Sequence, residues 1–306
     1  MHLKSPKMNA PNITKVVCPV CQSTDTQFAL TIKDHSVSGE TFDIFECNHC
    51  TLRFTNDAPD AEAIGPYYQS PDYISHSNTR RGLINELYHR VRCRTLASKY
   101  HLLLKETGLK NGDHLDIGAG TGTFVQYMNE KGWNSRGIEP DEKARRCALT
   151  EYKTNLLPAS ALETLPAESM DAISLWHVLE HVHDLYPYLD HIKRILKPNG
   201  RLFIAVPNYT SYDAKKYGTN WAAYDIPLHL YHFSPASMRY LLEAAGYRLV
   251  RLQPMWYDSF YISLLSEKYK TGEASLIKGF YTGAISNLKA VSDPEKCSSL
   301  IYIAGK

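Results

Sequence analysis

The sequence predicts an α/β fold built on a doubly wound, mostly parallel sheet, with a small cysteine-rich unit in front of it. Three observations carry this expectation. Strands and helices alternate from residue 114 onward, a glycine-rich turn joins the first of those strands to its helix, and two CxxC pairs, Cys18/Cys21 and Cys47/Cys50, lie near the start. With 306 residues, 43% hydrophobic and 22% charged, the chain is long enough for one large α/β domain plus an appendage, and a disordered or fibrous protein is excluded. Its 34 Lys and Arg against 32 Asp and Glu give a net charge of +2, so any polyanion binding has to be local. No run of roughly 18 apolar residues is present, and the first residues lack the apolar core of a signal peptide. Seven cysteines, an odd number, suit a reducing compartment, and the expectation is a soluble cytoplasmic protein.

Residues 1–15 are polar without periodicity, so a frayed tail is expected there. The alternation over 41–46 reads as a strand leading into the second cysteine pair. Residues 57–78 read as a linker holding Tyr67, Tyr68 and Tyr73, and 79–105 as a helix with Leu83, Leu87 and Val91 on one stripe. Strands then follow at 114–118, 136–139, 171–176, 201–206, 247–252 and 298–304, with helices at 123–131, 141–152, 184–196 and from Pro235 to near Gly246. Ser234 before Pro235 supplies the cap and first-turn proline of the last of these helices. The expected division is 1–60 for the cysteine-rich domain and tail, 61–110 for a linker and basic helix, and 111–306 for the main domain.

Leu115-Asp116-Ile117-Gly118-Ala119-Gly120-Thr121-Gly122-Thr123 ends a strand in glycines, which let the backbone bend sharply and a ligand approach closely. A dinucleotide fingerprint needs its third glycine five positions after the first, whereas here glycines fall at 118, 120 and 122, and Asp116 precedes them. That pattern fits a pyrophosphate poorly and a ligand ending in a cationic amino acid better. Glu139 closes the second strand 21 residues after Gly118 (139 − 118), where a doubly wound sheet places a carboxylate on ribose hydroxyls.

On these residues, with Gly137-Ile138-Glu139-Pro140, the block 170–181 ending His177-Val178-Leu179-Glu180-His181, and Leu196-Lys197-Pro198-Asn199-Gly200-Arg201-Leu202, positions 112–254 resemble a class I S-adenosylmethionine-dependent methyltransferase. The resemblance implies a seven-stranded, Rossmann-like sheet and S-adenosyl-L-methionine as cofactor. It implies that Asp116, Gly118, Ala119, Gly120 and Gly122 hold the methionine end, that Glu139 binds the ribose, and that His177 lies beside the cofactor. Ser160 and Ala161 occupy the adenine-contact region, where the family often has an acidic residue. Methyl transfer is an in-line displacement, so the protein must align the acceptor and, where the acceptor is protonated, remove its proton.

His177 to His181 also matches the H-x-x-E-H of zinc proteases, but the methyltransferase reading takes the same residues as a strand end and its loop. Some ubiquinone-pathway and small-RNA O-methyltransferases carry E-x-x-E-H here and hold a metal ion with it; this sequence has His177 in place of the first Glu. A second cluster, Trp221, Tyr224, Asp225, Pro227, His229, His232, Phe233 and Ser234, resembles the W-x-x-x-D-x-P-x-H-x-x-H-F-S block that faces the acceptor in such enzymes. His229 and His181 are the candidate catalytic bases; the plainer alternative is that these imidazoles only orient the loop.

The two CxxC pairs, 25 residues apart (22 through 46), present four thiolates for tetrahedral zinc, and the segment resembles a zinc ribbon with a structural, closed site at Cys18, Cys21, Cys47 and Cys50. Residues 1–56 carry five charges of each sign, no footprint for RNA, whereas 80–110 carry eight basic and two acidic residues, a net of +6. A zinc ribbon before a methyltransferase domain is similar in layout to sugar C-methyltransferases acting on nucleotide-linked deoxysugars. The expected function is therefore methylation at O or C of a small-molecule or glycan-linked acceptor. An RNA methyltransferase docking through the ribbon and basic helix, and a non-catalytic cofactor-binding or interaction module, are the alternatives; no membrane insertion is expected.

Overall fold

The computed structural model describes residues 16–68 and 83–306, without side chains at 83–90 and 92. The expected tail, Tyr73, Arg80 and Arg81 lie outside the described residues.

In the N-terminal segment, β1 (Thr26–Lys33) and β2 (Thr41–Cys47) form an antiparallel hairpin, and β3 (Arg53–Thr55) adds to β2. The residue after each CxxC pair, Gln22 (φ 59°) and Thr51 (φ 61°), is left-handed. Each folds the chain back so that its N–H meets the carbonyl of the cysteine that opens a turn, Gln22 to Cys18 at 3.0 Å and Thr51 to Cys47 at 2.9 Å.

After the helix α1 (Leu83–Thr107) the doubly wound part begins: β4 (Asp113–Ile117), α2 (Thr123–Glu130), β5 (Asn134–Ile138), α3 (Glu142–Tyr152), the short α4 (Ala161–Thr164) and β6 (Met170–Trp176). It continues with α5 (Leu185–Ile195), β7 (Leu196–Pro207), α6 (Tyr212–Tyr217), β8 (Tyr231–His232), α7 (Pro235–Ala244) and β9 (Arg248–Pro254). It ends with the helical pair α8 (Asp258–Thr271) and α9 (Leu276–Ser292) and the strand β10 (Ser299–Gly305). The main sheet runs β5-β4-β6-β7-β10-β9; the first four strands are parallel and β10 is antiparallel to both neighbours. Leu115, Ile117, Ile173, Leu175, Leu202 and Ile204 are essentially inaccessible, as strands covered on both faces require. Among the described residues no helix is long and apolar enough to cross a membrane.

Six strands, not the expected seven, make this sheet among the described residues. Beyond β5 the chain that would supply the seventh makes one parallel bridge, Ile138 to Leu157. The ladder stops because its next groups are used: Arg145 Nη1 donates to the Glu139 carbonyl at 2.7 Å, and the Asp141 N–H goes to Glu139 Oε1 at 2.9 Å. Pro158 and Pro140 also carry no N–H.

The two sheets are joined. Strand β8 pairs antiparallel with β3 (Arg53↔His232, Phe54↔Tyr231), completing a four-stranded sheet β1-β2-β3-β8. Thr55 Oγ1 donates to the His229 carbonyl at 2.8 Å, Thr51 and Ser234 hydroxyls are 2.7 Å apart, and Tyr209 and Tyr186 hydroxyls donate to the Thr51 and Val20 carbonyls. Ser234 caps α7 in a reciprocal box with Ser237, as the sequence predicts.

Candidate active site

The chain leaves β4 through Gly118, Gly120 and Gly122, all at positive φ (71°, 55° and 75°), and enters α2. A Cβ on Gly118 would lie 2.3 Å from Val178 Cγ2, so this turn abuts the loop after β6 and admits only glycine. Glu139, just beyond β5, grips the turn: its Oε2 accepts the Gly120 N–H at 2.8 Å, and burial raises its pKa. Asp116 is 2% exposed and in no ion pair among the described residues; burial pushes it up to about 6, although the Ser174 hydroxyl at 2.6 Å favours its charged form.

Behind Asp116 lies a buried relay across three strands. The Ser135 hydroxyl meets His114 Nδ1 at 2.7 Å, His114 Nε2 meets Ser174 Oγ at 3.0 Å, and Ser174 donates to Asp116. Since the Ser174 proton is committed to the carboxylate, His114 donates from Nε2 and accepts at Nδ1, and every bond points toward Asp116. Burial holds His114 at about 3, so the ring is neutral.

At the end of β6, His177 sits at φ 58°, a conformation that non-glycine residues adopt mainly under constraint. Its Nε2 is 2.8 Å from Asp258 Oδ2 and its Nδ1 3.3 Å from Glu180 Oε1. Burial works against its charge, but the Asp258 and Glu180 carboxylates lift it to about 10, so the ring is cationic. Glu180 is fully buried, and its Oε2 has no hydrogen-bond partner. The rings of His181 and His229 stand 4.6 Å apart, nearly perpendicular. His181 Nδ1 donates to the Leu228 carbonyl (3.1 Å) and His229 Nδ1 to that of Ala223 (2.9 Å), which leaves both Nε2 atoms with lone pairs. Burial lowers both pKa values, His181 to about 4, so both rings are neutral at pH 7. One donor atom from each of Glu180, His181 and His229 lies within 4.8 Å of the others.

Of the residues singled out in the sequence, Asp116, Gly118, Ala119, Gly120, Gly122 and Glu139 meet at one edge of the sheet, and His177, His181 and His229 gather beside it. The Glu139 N–H donates to the Leu157 carbonyl at 2.9 Å, which sets the following loop, with exposed Ser160 and half-buried Ala161, next to Glu139. Residues 179–181 form a single 3-10 turn, not the long helix a zinc protease needs to align two imidazoles. Asp258 and Lys99 were missed. Asp258 is 81 residues from its partner His177, and Lys99 Nζ lies 4.2 Å above the Trp176 ring, brought down to about 8 by burial. No local pattern marks either, because their partners come from other elements.

The four cysteines of the N-terminal segment also converge. Cys18 and Cys50 sulfurs are 3.6 Å apart, those of Cys21 and Cys47 3.3 Å, and all four lie within 4.8 Å. Tetrahedral zinc with Zn–S near 2.3 Å separates its sulfurs by about 3.8 Å, so this set fits that ion, whereas a disulfide would need about 2.05 Å.

Asp258→Asn removes the carboxylate that does most to raise His177. The His177 pKa is expected to fall by at least one unit in an NMR titration; an unchanged value would show that Asp258 does not set it.

Known proteins place these residues in context. The methyltransferase-domain family matches residues 88–252. The human mitochondrial ubiquinone biosynthesis O-methyltransferase is 30% identical over 164 residues, which cover 48% of this chain and 44% of that protein. The ubiquinone biosynthesis O-methyltransferase of Cupriavidus pinatubonensis is 26% identical over 164 residues, covering 49% and 66%. The chain thus spans about half to two thirds of the length of these curated relatives. A SAM-dependent methyltransferase of Archaeoglobus fulgidus superposes with a TM-score of 0.48 at 20% identity, over 71% of this chain and 94% of that one. Residues 88–252 are more than half of the chain, and the protein belongs to the methyltransferase-domain family.

Proposed function

We propose that the chain transfers a methyl group from S-adenosyl-L-methionine to a hydroxyl oxygen of a small-molecule acceptor. The observation that carries this is the pair of carboxylates, buried Asp116 and half-buried Glu139, at the carboxyl ends of neighbouring parallel strands on either side of the glycine turn. Burial outweighs the charge of Lys99 at Asp116, so the carboxylate fits a ligand that brings a further cation, here the ammonium of the methionine end. Glu139 would take the ribose hydroxyls, and the loop 158–161 the adenine. The cofactor supplies an already activated methyl group. The chain has to hold donor and acceptor in line, keep water out and remove one proton. For that proton the neutral His229 offers its Nε2, with Asp225 Oδ2 3.9 Å from the same atom to favour the charged ring, and His181 stands beside it. Among the similar proteins, those named ubiquinone biosynthesis O-methyltransferases support oxygen as the acceptor atom.

The orphaned Glu180 Oε2 favours a second reading of the same place, in which the Nε2 lone pairs of His181 and His229 serve as ligands and not as the base. Glu180, His181 and His229 would hold a divalent cation, whose chemistry is to lower the pKa of an acceptor hydroxyl. The cysteine cluster would hold structural zinc and, through β3 and β8, brace the loop carrying His229.

Asp116→Asn is expected to weaken S-adenosylmethionine binding on the order of 100-fold by calorimetry. It should also raise the melting temperature of the cofactor-free protein. The folded pKa, about 6, is above the reference 3.8, so stability falls as pH rises through that window, and the ionised carboxylate costs about 3 kcal/mol at pH 7. Wild-type affinity should correspondingly drop below pH 6. Unchanged binding by Asp116→Asn would sink the cofactor assignment.

Glu180→Gln should weaken binding of Mn²⁺, followed by its paramagnetic signal, at least tenfold while leaving zinc content intact; equal Mn²⁺ binding by both proteins argues against the cation. Cys50→Ser should lower bound zinc below half an equivalent by elemental analysis and cost more than tenfold in methyl transfer. Full zinc content in that variant would remove the four-cysteine site.

A further inference from the structure

The α8–α9 hairpin is packed inside out. A Cβ on Gly279 would lie 2.8 Å from Leu264 Cα, and one on Gly283 2.9 Å from Phe260 Cα, so the two helix backbones all but touch. The wholly inaccessible side chains around this contact are small and polar: Ser263, Ser266, Thr282 and Ser286. Ser286, Ser298 and Trp221 all donate to the buried carboxylate of Asp213, at 2.7, 2.6 and 2.8 Å. The large apolar residues of α9 lie outside this contact, with Phe280 stacked on Phe260 of α8 at 4.9 Å. Leu276, Ile277, Phe280, Tyr281, Leu288 and Val291 are all between 59% and 85% exposed.

This face has a register. Ile277, Tyr281, Ala284, Leu288 and Val291 follow one another at intervals of four, three, four and three residues, the a/d seam of two heptads. A seam of that period is one helix wide, and Ala284 at its centre is small enough to let a second helix cross at about 8–10 Å. The six exposed side chains offer on the order of 800 Å², which matches the roughly 800 Å² per partner of a standard interface. Charge points the same way: 276–292 contains no carboxylate, and of its two lysines Lys289 is turned to its own body, its Nζ 5.1 Å from the Tyr212 ring. Only Lys278 remains at the flank, too little to draw the helix onto an anionic surface.

We infer that α9 is the interface through which two copies of this chain associate, antiparallel about a two-fold axis near Ala284. In such an isologous contact each residue meets the same patch on its partner, so Ala284 faces Ala284.

Analytical ultracentrifugation of the full, zinc-replete chain tests this. Wild type should sediment at twice the chain mass at micromolar concentration, and Leu288→Glu or Ile277→Glu should raise the dimer dissociation constant at least 100-fold with an unchanged melting temperature. Under mild oxidation Ala284→Cys should form a disulfide-linked dimer that wild type, with its exposed Cys93, does not form. A wild-type monomer at about 50 μM, an undiminished dimer in both Glu variants, or a dimer in which Ala284→Cys fails to cross-link would each overturn the inference. So would a monomer that floats with phosphatidylglycerol vesicles and loses them on Leu288→Glu, since lipid would then be the occupant.

Discussion

Asp116 is a carboxylate held where water cannot reach it, and much of the site is organised around that fact. Three parallel strands contribute to its support: β4 carries it, β6 supplies the Ser174 hydroxyl, and β5 supplies Ser135 at the far end of the His114 relay. A polar chain through the middle of an otherwise apolar sheet is tolerable because every donor in it has an acceptor, and because neutral His114 adds no charge. The relay stiffens the strand ends from which the glycine turn departs. Burial destabilises the ionised carboxylate, and the Ser174 hydroxyl and the Lys99 charge offset that only in part.

The N-terminal sheet bears on the same site from the opposite side. Strand β3 is only three residues long and would make a poor sheet edge by itself, yet it pairs with both β2 and β8 and so spans the two parts of the molecule. Thr55 holds the His229 carbonyl and touches His232, while Arg53 lies 4.2 Å over the Tyr209 ring and donates to the Tyr224 hydroxyl. Buried Tyr209, Tyr231 and Tyr247 and half-buried Tyr186 place their hydroxyls on backbone carbonyls, two of them reaching across to the cysteine-rich segment. A metal in that segment would therefore be coupled to the geometry of the histidine loop through backbone hydrogen bonds.

The histidine cluster shows how one motif can be divided by the fold. His177, Glu180 and His181 are neighbours in sequence, but the strand end and 3-10 turn send His177 toward Asp258 and His181 toward His229, with Glu180 between them. One imidazole is made cationic and two are kept neutral, although all three are surrounded by protein. The difference lies in how each is partnered: carboxylates meet His177, whereas carbonyls meet the Nδ1 atoms of the other two.

The sequence alone determined what depends on neighbouring residues. Glycines at 118, 120 and 122 permit the positive φ that the turn uses, the CxxC pairs bring two thiols together within one turn, and the Ser234-Pro235 start of α7 is a local cap. The alternation of strands and helices is equally local, which is why the doubly wound order and its six strands were legible, whereas a seventh was implied only by the family resemblance. Beyond β5 the Glu139 carbonyl accepts from Arg145 and the Asp141 N–H donates to the Glu139 side chain, a competition with strand pairing that no propensity records. Tertiary structure decided the rest: the ion pair of His177 with Asp258, the meeting of Glu180, His181 and His229, the joining of β3 to β8, and the outward face of α9. Each depends on contacts between residues far apart in the chain, and such contacts acquire energy only once the backbone has brought them together.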